Sequence, residues 1–112
     1  MLKLLNFKEL KKTLVTEPGS IFYMVSRGGL QYIKFDQIRN CPVLAPTEKL
    51  ARMFRLGDIS ESEFINKYKH ELQSPLVREL VRHMRSEAQD KDVYIVEDYK
   101  QEPLLSLDML VN

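Results

Sequence analysis

Two carboxylates, Glu97 and Asp98, close an apolar run formed by Val93, Tyr94, Ile95 and Val96. A buried parallel strand reads this way when it carries polar groups to the sheet edge where α/β proteins bind ligands. Adjacent carboxylates raise one another's pKa and attract cations, so the pair could serve as acid and base or as cation ligands. Neighbouring residues on a strand point to opposite faces, which makes Asp98 the stronger candidate and sends Glu97 elsewhere, with capping or solvation as the plainer role for both. A second chemical cluster is Arg27-Gly28-Gly29. Glycine lets backbone N–H groups approach an anion while Arg supplies a bidentate fork, although the Gly-Lys-Ser/Thr ending of a phosphate loop is missing and a plain turn would look the same.

The remaining polar residues carry less. Arg78, Arg82 and Arg85 fall on one helix face and could meet phosphates or an acidic partner, but Glu79, Glu87 and Asp90 dilute that stripe. His70 and His83 lie in no metal-ligand spacing, and no cofactor or metal is expected. Cys41, the single cysteine, reads as a half-buried packing thiol, and Tyr23, Tyr32, Tyr68, Tyr94 and Tyr99 read mostly as packing residues.

The elements that must position these groups follow from local signals. Leu2 to Leu5 is a strand or a lead-in, and Asn6 with Glu9 has the form of a capping box that starts a helix over Phe7 to Val15. Pro18-Gly19 breaks that helix, and Ile21 to Val25 is a β-rich run placed centrally in a sheet. Tyr32, Ile33 and Phe35 suggest a second extended piece, and Cys41 to Pro46 a third, because its two prolines keep the backbone extended. Thr47 caps a helix ending near Gly57. Ser60 and Glu63 form a capping box, with Ile59 and Phe64 as its staple, for a helix carrying Phe64, Ile65, Tyr68 and Leu72. Ser74-Pro75 opens another, whose apolar stripe is Leu76, Val77, Leu80, Val81 and Met84. After the Val93–Val96 strand, Pro103 opens a last amphipathic helix with Leu104, Leu105, Leu107, Leu110 and Val111. This alternation predicts one α/β domain over residues 1–112, a short, mostly parallel sheet with helices on both faces and right-handed crossovers.

Composition narrows the function classes. With 44% apolar and 29% charged residues the 112-residue chain has the balance of an ordinary globular protein. A net charge of +1 argues against strong non-specific nucleic-acid binding. The charge is uneven: seven bases against three acids over residues 1–39, nine against nine over 40–92, and one against four over 93–112. No apolar run approaches the roughly 20 residues that span a bilayer, and the lone cysteine fits a reducing compartment, so a cytoplasmic protein without a membrane partner is expected.

Arg27-Gly28, then Leu44-Ala45-Pro46-Thr47-Glu48-Lys49-Leu50 with Phe54, then Glu63-Phe64, Tyr68, Glu71-Leu72, and the closing apolar strand with Asp98 together resemble a family of small prokaryotic proteins, the YeaO-like domain of unknown function, family 488. The resemblance covers roughly residues 20–112 and implies an α/β fold. It implies no established reaction. Family members often carry an Asp-Arg-aromatic-Trp-Pro stretch where this chain has Phe22-Tyr23-Met24-Val25-Ser26, and a related branch has a Cys-Glu pair and a Cys-His-Arg triplet where this chain has Ile95-Val96 and Leu104-Leu105-Ser106. Those replacements weigh against catalysis. The expectation is therefore a non-enzymatic binding or regulatory module for a small anionic ligand or a macromolecular partner, with Arg27, Gly28, Gly29, Asp98 and Glu97 at its site. The competing expectations are a hydrolase for a phosphorylated or nucleotide substrate, and a homodimeric interaction module using Leu104, Leu107 and Met109.

Overall fold

The structure is a computed structural model and describes residues 1–25, 38–97 and 110. Four strands form one sheet: β1 (Leu2–Asn6), β2 (Ile21–Met24), β3 (Ile38–Asn40) and β4 (Val93–Glu97), in the order β1-β4-β2-β3. Every pairing among them is parallel, with Leu2 opposite Val93, Ile21 opposite Val93 and Phe22 opposite Ile38. β2 and β4 are interior, which is why both are uninterrupted apolar runs buried on two faces.

The helices are α1 (Leu10–Thr16), α2 (Glu48–Arg55), α3 (Glu61–Glu71) and α4 (Pro75–Glu87). One face of the sheet, through Phe22, Met24, Tyr94 and Val96, packs on Leu10 and Leu14 of α1. The other face, through Ile21, Tyr23, Val93 and Ile95, packs on Leu50 of α2, Phe64, Tyr68 and Leu72 at α3, and Val77, Val81 and Met84 of α4. The result is a three-layer α/β fold. Its topology explains the layers. The β1-to-β2 crossover passes β4 in one direction, and the β3-to-β4 crossover passes β2 in the other. Crossovers of one hand that travel in opposite directions must lie on opposite faces, and these do.

Local chemistry accounts for the helix starts. Ser60 accepts from the Glu63 N–H at 3.1 Å while the Glu63 carboxylate accepts from the Ser60 N–H at 3.4 Å, the reciprocal capping box expected. Thr47 caps α2, and Ser74 with Pro75 at the first helical position opens α4. α2 closes before Gly57, which takes the left-handed backbone conformation (φ 78°).

Three expectations need correction. The first helix starts later: Asn6 accepts from the Lys8 N–H at 3.2 Å and opens a single 3-10 turn, Phe7–Glu9, ahead of α1. The Cys41 to Pro46 segment is not a strand. Its central part, Pro42–Leu44, is another 3-10 turn, because a proline at a first helical position loses no needed N–H and already has a helical φ; the strand lies just before it, at Ile38–Asn40. Leu76 does not join the α4 stripe: it is 66% exposed, and the buried positions are Val77, Val81 and Met84. The extended piece at Tyr32–Phe35 and the helix from Pro103 fall outside the described residues, apart from Leu110, which is buried against the core.

Candidate functional site

Parallel α/β sheets bind ligands at the carboxyl ends of their strands, where successive connections leave toward opposite faces. Here those ends stand in the order Asn6, Glu97, Met24 and Asn40. The chain leaves β1 into the α1 layer and leaves β3 into the α2–α4 layer, so the change of face falls across the two strands between them, β4 and β2. The chain leaving β2 reaches Arg27-Gly28-Gly29 and the chain leaving β4 reaches Asp98. These four residues lie outside the described ones; Glu97 is the single proposed site residue among them.

Glu97 is half-buried at the end of β4, opposite Asn6 in the parallel register. By strand alternation it shares a face with Val93 and Ile95, toward the α2–α4 layer. Tyr68 of α3 lies in that layer, fully buried, and its hydroxyl donates to the Leu44 carbonyl. Burial, then the nearby Glu97 and Glu71 carboxylates, push the phenol far above its ordinary range. Tyr68 is thus a fixed neutral donor rather than a base. Asn6 is committed to capping. Cys41 is buried beyond the expected half-burial, at 7% exposure; burial pushes its thiol up to about 11, only partly opposed by the Arg39 charge. A neutral buried thiol is a packing group.

A polar cluster that the sequence did not suggest lies on the α2–α4 face beside β3. Arg39 Nη1 donates to the Tyr23 hydroxyl at 2.7 Å and to both oxygens of Glu87 at 3.0 and 2.9 Å, and the Tyr23 hydroxyl donates to Glu87. The Arg39 guanidinium also lies 5.4 Å from the Tyr23 ring centre. Burial and the bond to Glu87 lift the Tyr23 phenol to about 12. Burial alone would raise Glu87, but the bonds from Tyr23 and Arg39 outweigh it and hold the carboxyl below its usual value. Near neutral pH the cluster is a charged pair with a protonated phenol between its members. It ties β2, β3 and α4 together and has no group poised to exchange a proton.

The arginine stripe on α4 is broken up. Arg82 pairs with Glu79, and Arg85 donates to the Leu110 carbonyl at 3.3 Å, leaving Arg78 without an ion pair among the described residues. Tyr94 stacks on Phe22 with ring centres 5.2 Å apart and donates to Glu17 at 2.6 Å. Among the described residues no group of three or more His, Cys, Asp or Glu side chains could hold a metal ion, and no helix is long and apolar enough to cross a membrane. Compared with known proteins, the chain matches no family model, no curated protein and no solved structure.

Proposed function

We propose that the protein is a cytoplasmic binding or regulatory module of YeaO-like type that takes a small anionic ligand at the carboxyl edge of its sheet. The observation that carries this reading is the change of crossover face over β4 and β2. Open α/β sheets hold their ligands at such a point, and the two chain segments that leave it begin with the residues best suited to an anion and its counter-groups. In this reading Arg27 grips the anion, Gly28 and Gly29 let backbone N–H groups approach it, and Asp98 fixes hydroxyl or amine groups of the same ligand. A binding role is preferred to a catalytic one because the polar groups described near the edge are already committed: Tyr68 to the Leu44 carbonyl, Asn6 to a cap, and Cys41 to packing as a neutral thiol.

The test is a thermal-shift screen of nucleotides, inorganic phosphate, divalent metals and short nucleic acids against the wild-type chain, Arg27→Ala and Asp98→Asn. An anion-dependent rise in midpoint that Arg27→Ala abolishes is the expected result. A rise given by metals alone and removed by Asp98→Asn would instead support the hydrolase, and no rise with any probe would overturn the ligand reading in favour of a protein partner.

A further inference from the structure

A second concave surface lies between α2 and α3. It is an open groove of about 450 Å³, lined by Lys49, Leu50 and Met53 from α2 and by Asn66, Lys67 and His70 from α3, with Thr47 and Glu71 beside them. That volume lies in the range of small-molecule sites. α2 has eight residues, so the groove runs only about 12 Å along it, short for a docked helix.

The groove carries two ammonium groups against one carboxylate. Its one carboxylate, Glu71, already accepts from the Thr47 N–H at 3.0 Å and the Thr47 hydroxyl at 2.6 Å, the clamp that joins the start of α2 to the end of α3. Neither Lys49 nor Lys67 is in an ion pair among the described residues, although they stand on opposite walls and ion pairs are common elsewhere on the surface. Between them, Leu50 and Met53 supply an apolar floor, and His70 and Asn66 supply further hydrogen-bonding groups. A lysine from each of the two helices, with Leu50 and Met53 in the same lining, matches a ligand with a doubly charged head on a body that offers an apolar face.

We propose that this groove is a second anion site, for a phosphate monoester whose body also offers a flat aromatic face, such as a nucleoside monophosphate. Lys49 and Lys67 hold the phosphate from either side, and Leu50 and Met53 pack against the ring. The assignment is independent of the sheet-edge reading, and Arg27→Ala separates the two.

The experiment is a titration of the ¹⁵N-labelled full chain with adenosine 5′-monophosphate, adenosine and inorganic phosphate, followed by amide shifts. The monophosphate is expected to move the amides of Thr47, Leu50, Met53, Asn66 and His70, and to bind more tightly than adenosine or phosphate. The charge reversal Lys49→Glu with Lys67→Glu should weaken it about tenfold or more. Both side chains are exposed and outside ion pairs, so the thermal midpoint should hold. Should the double variant unfold, Lys49→Gln alone makes the same comparison. Shifts confined to other surfaces, an affinity unchanged by the reversal or lost only in Arg27→Ala, or no binding at millimolar ligand would each overturn the assignment.

Discussion

Tyr23, Arg39 and Glu87 show how a polar group is kept inside an α/β layer. The phenol is 2% exposed and sits between a guanidinium and a carboxylate, giving to one and accepting from the other. Tyr23→Phe removes both bonds but leaves Arg39 on Glu87, so a loss of about 1–2 kcal/mol in urea unfolding is expected, most of it from the Glu87 bond. The pH dependence follows from the direction of each shift. The Glu87 carboxyl is held below its ordinary 4.5 in the folded protein, so its stabilisation is complete above that pH and drains away as the pH falls. Glu87→Gln should therefore flatten the acid limb of stability against pH. Tyr23 titrates at about 12 when folded against 10.0 unfolded; its contribution is full below pH 10 and is lost as the pH rises toward 12. Tyr23→Phe should make that alkaline limb shallower, and a wild-type slope in both limbs would mean that the cluster adds nothing to folding.

The helices and strands differ in how far their neighbours in sequence define them, and that difference decides what could be read without coordinates. The Ser60/Glu63 box, the Thr47 cap, the Ser74-Pro75 start and the apolar runs of β2 and β4 are each made of residues within a few positions of one another, so their chemistry is visible locally. The segment after β3 is ambiguous in sequence because proline favours an extended residue before it and a helical one at its own position, and only packing selects between a strand and a 3-10 turn. The Tyr23–Glu87 and Thr47–Glu71 contacts join residues 64 and 24 apart and leave no periodic mark in the sequence. Of the proposed edge site, Glu97 alone falls among the described residues, at the strand end expected for it. The two caps separate local from tertiary effects. Ser60→Ala removes an N-cap and a bond to Glu63, both within the first turn of α3, and should cost about 1 kcal/mol. Thr47→Ala removes a cap together with the hydroxyl that holds Glu71, and should cost about 2 kcal/mol in the same denaturation measurement. Equal losses would show that the clamp between α2 and α3 contributes nothing beyond the cap.

The whole molecule is closed by its central strand. Among the described strands β1 pairs with β4 alone, and β2 meets β1 only through β4, which arrives some 90 residues after β1. Before β4 is in place, Leu2 and Leu4 have no strand beside them and Ile21 and Tyr23 are paired on one side only, so both helix layers lack the middle of the surface they cover. Pairing over so long a separation must also offset the entropy of closing the intervening chain, which makes the final docking of β4 the expected slow step of folding. A chain ending at Asp92 keeps α2, α3 and α4 with all their caps but loses Tyr94 and the fully buried Val93, Ile95 and Val96. It should show helical far-ultraviolet dichroism without a cooperative urea transition, whereas the full chain should unfold in one step. A sharp transition in the 1–92 fragment would mean that the helical layer is stable without the sheet, and the dependence of both faces on β4 would then be wrong.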